Sequence, residues 1–123
     1  MTPRFRAWNS ETKEIEVFNT YEEISELFSA LSADDGFYSI MQSTGLFDKN
    51  GKEIFEGDII AIEVDDTEAP INAKVFQNRK IGVLMFHVFE DNEDVPMVEL
   101  LEDNSVAFEI IGNIYENKEL LDA

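Results

Sequence analysis

The chain has 123 residues, of which 27 are acidic and nine are basic, and its formal net charge of −18 is large for this length. Direct binding to DNA or RNA depends on neutralising phosphates with Lys and Arg, so this acidity opposes it. The absence of cysteine excludes disulfides, thiolate metal sites and cysteine nucleophiles. We expect one soluble, cytoplasmic domain over residues 1–123, because no apolar run is long enough to span a membrane.

The surplus of carboxylates has two interpretations. In the simpler one, the charge keeps the protein soluble and discourages self-association. In the other, the acidic surface imitates a nucleic-acid backbone or docks on a basic partner. Net charge bears on association and not on fold, so the chain must be followed in order to find the architecture.

The first predicted strand alternates, with Phe5 and Ala7 on one face and Arg4, Arg6 and Trp8 on the other. Trp and Arg dominate the hot spots of protein interfaces, which makes Arg4, Arg6 and Trp8 candidate protein-binding residues. The structural alternative is that both arginines pair with surplus carboxylates while Trp8 caps one end of a barrel. This alternative is the more common use of such residues.

A polar turn at residues 9–13 leads to a return strand, Glu14 to Phe18, and then to a helix. Thr20 and Glu23 have the spacing of a capping box, in which each side chain satisfies a group at the helix start. Apolar residues follow at helical spacing: Tyr21, Ile24, Leu27, Phe28 and Leu31. A helix this short is stable only when packed, so we predict that this stripe faces the core. A turn at Asp34-Asp35-Gly36 ends the unit.

The central stretch carries the strongest turn signals. Asn50-Gly51 predicts a type I′ hairpin turn, because both residue types tolerate positive φ. The predicted hairpin joins Leu46-Phe47 to Ile54-Phe55. A second corner is expected at Gly57, before the apolar run that begins at Ile59.

The second half is predicted to contain five further strands: Ile59 to Val64, Ile71 to Phe76, Ile81 to Phe89, Met97 to Leu101 and Val106 to Ile114. The charged segment Glu90–Asp94 is expected to be a mobile connection. Gly112 indicates a bulge or a close backbone approach. Tyr115 to Leu121 is expected to close as one helical turn. The strand from Ile81 is almost continuously apolar, so it is either buried on both faces or part of a contact between copies of the chain.

Catalytic and metal-binding signals are weak. His87 is the sole histidine, without a nucleophile motif or a second histidine beside it, and we interpret it as structural. Asp48, Asn50 and Gly51 have some likeness to a calcium loop, but Ile59 stands where that loop needs glutamate. We therefore expect no enzymatic activity, no cofactor and no metal site.

Three blocks of the sequence resemble the YopX family, small proteins encoded mainly by phages and prophages of Gram-positive bacteria. These blocks are Arg4-Phe5-Arg6-Ala7-Trp8, a central block containing Thr44-Gly45-Leu46, Asp48, Asn50-Gly51-Lys52-Glu53-Ile54 and Glu56-Gly57-Asp58-Ile59, and Ile111-Gly112-Asn113-Ile114-Tyr115-Glu116-Asn117. The resemblance implies a small β-barrel of SH3-like type with added elements, but no activity, cofactor or catalytic residue. Asn9 and Lys118 depart from the family, in which Asp and Pro are frequent, and this puts only local turn geometry in doubt.

These observations predict a mainly β fold, specifically a small SH3-like β-barrel with one packed N-terminal amphipathic helix, with an α+β arrangement as the alternative. The predicted function is that of a non-enzymatic phage accessory protein that binds an unidentified protein in the bacterial host cytoplasm. The alternative is an acidic inhibitor that imitates DNA and blocks a host nuclease or DNA-binding protein. Membrane binding is not expected, and assembly into a homo-oligomer stays open.

Overall fold

The computed structural model describes residues 4–18, 20–32, 38–64, 69–78, 80–101 and 106–122. The chain divides into two compact units, Met1–Ser43 and Thr44–Ala123. In chain order the elements are β1 (Phe5–Asn9), β2 (Glu14–Phe18), α1 (Tyr21–Ser32), β3 (Tyr38–Phe47), β4 (Glu53–Phe55), β5 (Asp58–Glu63), β6 (Ile71–Asn78), β7 (Val83–Val88), β8 (Glu93–Pro96), α2 (Met97–Leu101), β9 (Ala107–Asn113) and a 3-10 helix (Lys118–Asp122). Most of the elements are strands, which confirms the predicted mainly β fold.

In the first unit, β1 lies between β2 and β3 and is antiparallel to both. Ala7 in the middle of β1 is completely buried. The ring of Phe28 on α1 meets the ring of Phe5 edge to face, with 5.7 Å between the centroids. Leu27 of the same helix is only 2% exposed. The predicted N-terminal helix is therefore present and packed, and β1 has the apolar inner face that its alternation predicts.

In the second unit, five antiparallel strands form a sheet in the order β8-β7-β6-β5-β9, while β4 pairs with the end of β3. The strand β5 is buried on both faces over Asp58–Ile62, and its edges are paired with β6 and β9. A cluster of buried apolar side chains forms the core of this unit: Ile54, Ile60, Ile62, Ala73, Val75, Phe86, Val88 and Met97. The more detailed expectation of an SH3-like barrel stays a prediction.

The prediction of a strand at Met97 to Leu101 is wrong, because these residues form the helix α2. Within this helix Met97 is 2% exposed and its neighbour Val98 is 55% exposed. Pro96 ends the β8 ladder because it has no N–H, and the Met, Glu and Leu residues after it favour a helix. The apolar character of the segment was compatible with a strand or a helix, and the helix propensity of its residues favours the helix.

The prediction that Glu90–Asp94 is a connection between elements holds only for its first three residues, and its mobility stays a prediction. Its last two residues belong to the edge strand β8, where Asp94 faces His87 of β7. The helical turn expected near the end of the chain is confirmed as the 3-10 helix. The turn predicted at Asp34-Asp35-Gly36 lies outside the described residues.

The hairpin between β3 and β4 is confirmed, but its turn is not of the predicted type. Gly51 has a φ of +81°, whereas Asn50 does not share the positive φ that a type I′ turn requires. The N–H of Gly51 donates to the carbonyl of Asp48 at 3.0 Å, and the N–H of Asp48 donates to the carbonyl of Lys52 at 2.8 Å. This pattern is a type I turn followed by a left-handed glycine in a bulge.

The side chain of Asp48 explains this turn geometry. Its Oδ1 accepts the N–H groups of Asn50 and Lys52, both at 2.9 Å, and its Oδ2 accepts the N–H of Ile110 on β9 at 3.1 Å. Burial by itself would raise the pKa of Asp48, but the three N–H donors and the charge of Lys52 outweigh it and hold the pKa below its ordinary value. The ionised carboxylate thus joins the turn to β9.

The strand β9 contains the irregularity predicted at Gly112. Its register against β5 shifts there, which leaves Ile111 as the extra residue of a β-bulge. The predicted close approach is also present, since a Cβ on Gly112 would lie 2.6 Å from Oδ1 of Asn117. That same oxygen accepts the N–H of Asn113 at 3.1 Å, so it cannot move without losing a hydrogen bond.

We expect Asp48→Asn to lower the free energy of unfolding by about 1–3 kcal/mol at neutral pH, because buried N–H donors lose a charged acceptor. The pKa of Asp48 is lowered in the folded state, so its stabilisation is complete above the unfolded-state pKa and is lost as pH falls through the folded-state pKa. Urea unfolding from about pH 7 down to about pH 2 should show the variant and the wild type converging. The exposed change Asp91→Asn is the control, and an equal loss in both variants would contradict the role of Asp48.

We expect Gly112→Ala to lower the free energy of unfolding by about 1–3 kcal/mol, because the added methyl group collides with the side chain of Asn117. Thermal or urea unfolding measures the loss. The collision can be separated from other effects by repeating the substitution in an Asn117→Ala background, where it should cost less. Equal costs in both backgrounds would show that Asn117 is not the obstacle.

Candidate protein-interaction surface

The three residues predicted to bind a protein, Arg4, Arg6 and Trp8, lie at the start of β1 or within it. Arg4 is exposed, while Arg6 and Trp8 are half-buried in a strand that has neighbours on both sides. On this face the residue opposite Arg6 in β3 is Met41, which is 2% exposed. All three residues already interact with other parts of the protein. Their role in binding stays a prediction, on a face that is partly covered.

His87 has a partner that sequence reasoning missed. Its Nδ1 lies 2.7 Å from Oδ1 of Asp94, and its ring meets the ring of Phe89 edge to face. The two partners of this contact come from adjacent strands, seven residues apart in sequence, and the side chain of Asp94 is 54% exposed. The pairing of β7 with β8 creates this contact, so a hairpin register would have been needed to predict it.

Neither metal binding nor membrane spanning finds support in the described ranges. Within them, no group of three or more His, Cys, Asp or Glu side chains could hold a metal ion. Over the same residues, every helix is too short or too polar to cross a membrane.

The helix α1 begins with the predicted cap at Thr20, and the carboxylate of Glu23 reaches back to the hydroxyl of Thr20. The N–H of Glu23 donates to Oγ1 of Thr20 at 3.1 Å, and the hydroxyl of Thr20 donates to Oε1 of Glu23 at 2.9 Å. The carbonyl of Thr20 accepts the first helical hydrogen bond, from Ile24, at 3.0 Å. The cap fixes where the helix starts and therefore which side chains face outward.

The apolar stripe of α1 is only partly buried, contrary to prediction. Leu27 is 2% exposed and Ile24 is half-buried, but Tyr21 is 86% exposed and Phe28 is 46% exposed. At 3.6 residues per turn, Tyr21 and Leu27 are about 120° apart around the helix axis, so one flat sheet cannot cover both. The side chain of Leu31 lies outside the described residues.

The outward part of the stripe forms a groove. The groove has a volume of about 440 Å³ and is lined by Tyr21, Ile24, Ser25, Phe28 and Ser29. These positions are spaced i, i+3, i+4, i+7 and i+8, so they form one continuous face of the helix. An exposed face with two aromatic rings, an isoleucine side chain and two serine hydroxyl groups has the composition of a protein-binding surface.

The charged residues of α1 itself are of one sign. The helix α1 carries Glu22, Glu23 and Glu26 and no Lys or Arg. Glu22 and Glu26 are exposed and lie one helical turn apart, which places them in a row along the serine side of the groove. This arrangement combines an apolar floor with an acidic rim.

One of the few cations lies instead in a charge cluster of the second unit. Nζ of Lys49 is 2.9 Å from Glu63 and 3.5 Å from Glu109. The hydrogen bond to Glu63 is the main cause that raises the pKa of Lys49 above its ordinary value, with Glu109 also contributing. The chain has 27 acidic and nine basic residues, so even pairing at two carboxylates per cation would leave nine acidic residues without a cation.

Fold and surface together define a small, mainly β protein whose helix α1 presents an apolar groove. The family described as YopX protein matches residues 4–122, and the chain belongs to the YopX family. It is similar to the crystal structure of protein EF1440 from Enterococcus faecalis, with 25% identity, 97% of each chain covered and a TM-score of 0.56. It is also similar in fold to the crystal structure of protein yopX from Bacillus subtilis, with 19% identity, 98% of this chain and 99% of that chain covered, and a TM-score of 0.61. No curated protein matches the chain.

The family blocks contain residues that support the backbone. The hydroxyl of Thr44 donates to the carbonyl of Ile54 at 2.7 Å. Oδ1 of Asn113 accepts the N–H groups of Tyr115 and Glu116 at 3.0 and 2.9 Å. These contacts, like those of Asp48, hold turns in place. The groove on α1 lies outside the three blocks and uses other residues.

Removal of the helix cap should loosen the groove. We expect Thr20→Ala to lower the free energy of unfolding by about 1 kcal/mol, because the N–H of Glu23 loses its acceptor. Amide hydrogen exchange should become faster in the first turn of α1. Thr20→Ser keeps the hydroxyl and is the matched control. If the serine variant lost as much stability as the alanine variant, the cap would not be the cause.

Proposed function

We propose that the protein is a non-enzymatic protein-binding module, produced by a phage or prophage as an accessory protein and acting in the cytoplasm of the bacterial host. The observation that carries this proposal is the groove on α1, where Tyr21 and Phe28 remain exposed beside a packed Leu27. Contact with a partner would remove these apolar surfaces from water, which is favourable by about 25 cal/mol per Å². The resemblance to phage-encoded proteins supports the proposed origin.

Tyrosine suits this role because it gives a large contact area with few rotatable bonds and a polar end that tolerates water. The exposure of Tyr21 also means that its removal costs the fold little. Arg4, Arg6 and Trp8 form a second candidate surface on β1, although a partner could reach only their uncovered parts. The proposal requires no cofactor, no metal ion and no nucleic acid.

A second candidate function is that of an acidic inhibitor that imitates DNA. The net charge of −18 favours it, since a nuclease or DNA-binding protein has a cationic surface to receive such a molecule. The two candidates differ in what drives binding. A mimic depends on many distributed charges, and its complexes weaken steeply with salt and are displaced by duplex DNA. A groove binder depends on a few apolar contacts.

The test is affinity capture from bacterial cells that carry the phage or prophage, with tagged wild type, Tyr21→Ala and the double variant Arg6→Ala, Trp8→Ala. We expect a stoichiometric protein partner that Tyr21→Ala loses, because the exposed ring is the accessible anchor of the groove. Val98→Ala, which shortens an exposed apolar side chain on α2, is the control and should retain the partner.

Several outcomes decide between the candidates. Capture of no protein by the wild type would overturn the proposal. Loss of the partner only in the double variant Arg6→Ala, Trp8→Ala would indicate that the partner binds at β1 and not at the groove. Retention by every variant, with displacement by duplex DNA, would favour the acidic inhibitor.

A further inference from the structure

The groove on α1 combines an apolar floor with an acidic rim, and this combination restricts what can occupy it. We infer that its occupant is a basic amphipathic helix of another protein, which places apolar side chains in the groove and Lys or Arg residues over Glu22 and Glu26. This inference rests on the proposed protein-binding function and identifies the chemistry of the partner.

The shape of the groove favours a helix as the occupant. The lining residues from Tyr21 to Ser29 span eight helical steps, which is about 12 Å along the axis of α1. A partner helix presents side chains at i, i+3 or i+4 and i+7 over a similar length, so its apolar face matches the groove in two turns. The described lining residues all lie on α1, whose backbone N–H and C=O groups largely bond within the helix, so these residues offer no strand edge to an extended peptide.

The negative charge of α1 and of the whole chain favours a positively charged partner. Three glutamates and no cation lie on α1, within a chain of net charge −18. A cationic helix gains attraction at the rim and in the long-range field that steers its approach. An acidic helix or an anionic membrane surface would be repelled both at the rim and by the long-range field.

Charge also disfavours a second copy of this chain as the occupant. In a symmetric dimer the same patch is present on both sides of the interface. Each copy would then bring its acidic rim of Glu22 and Glu26 to the interface, and α1 of the other copy has no Lys or Arg to pair with it. The groove is therefore suited to a different molecule of opposite charge.

The test uses a synthetic helix-forming peptide of about 15 residues, with Leu at i, i+3, i+4 and i+7 spacing and Lys at the remaining positions. A peptide of the same composition in scrambled order lacks the apolar face, and a third peptide has Glu in place of Lys. Fluorescence anisotropy gives the affinity for the whole protein, and ¹H–¹⁵N spectra locate the contact. We expect binding of the first peptide alone, with the largest shifts at residues 21–29.

Protein variants separate the two parts of the surface. Tyr21→Ala should weaken binding about tenfold by loss of the anchor. The pair Glu22→Gln, Glu26→Gln should weaken it about threefold or more by loss of the rim charges. The pair Glu90→Gln, Asp91→Asn, in the exposed turn between β7 and β8, changes the net charge by the same amount and should leave the affinity unchanged.

Equal weakening by both charge pairs would overturn the inference, because attraction would then be due to net charge alone. Equal binding of the Glu-containing or scrambled peptide, or shifts away from residues 21–29, would also overturn it. Failure of this inference can be distinguished from failure of the proposed function. If a captured partner is lost with Tyr21→Ala but is neither displaced by the Lys-containing peptide nor weakened by Glu22→Gln, Glu26→Gln, the protein-binding function stands and the basic-helix partner does not.

Discussion

The hydrogen bonds to the carboxylate of Asp48 are the interactions on which the second unit depends most clearly. Three backbone N–H groups, two in its own turn and one on β9, converge on its two oxygens. A buried N–H without an acceptor is costly, so the side chain decides both the course of the turn and the position of a strand 62 residues away. The same logic recurs at Asn113, whose amide oxygen accepts two N–H groups of the following turn. Turn residues with polar side chains thus replace hydrogen bonds that the sheet cannot supply.

Much of the fold depends on signals that are local in the sequence, so the sequence predicted the fold more readily than the function. Strand β2, the hairpin between β3 and β4, the helix cap at Thr20 and the irregularity at Gly112 depend on local signals, and each was predictable. The turn type at Asn50 was not, because it is set by a carboxylate that the dipeptide rule ignores. The helix at Met97 was missed because an apolar run of five residues fits either structure.

The candidate surface was harder to predict for a geometric reason. Periodicity shows that Tyr21, Leu27 and Phe28 share a helix, but it does not show how much of the helix circumference the neighbouring sheet covers. In the structure the buried arc is centred near Leu27, and the side chains about 120° away remain in solvent. The pairing of His87 with Asp94 was missed for a related reason, since it requires the register of two strands. Both features depend on tertiary geometry, which a single sequence specifies only indirectly.

Some polar residues support the backbone and others remain exposed, and this difference restricts which residues can bind a partner. Asp48, Thr44 and Asn113 have their polar atoms engaged in holding the backbone, so they have little capacity left for a ligand. A partner must therefore use side chains that the fold does not require, and the exposed face of α1 meets that condition. Distributed carboxylates alone would attract any cationic protein without selecting one. An apolar groove beside two of those carboxylates adds a shape requirement to the charge, and specificity between cationic partners can arise from that added requirement.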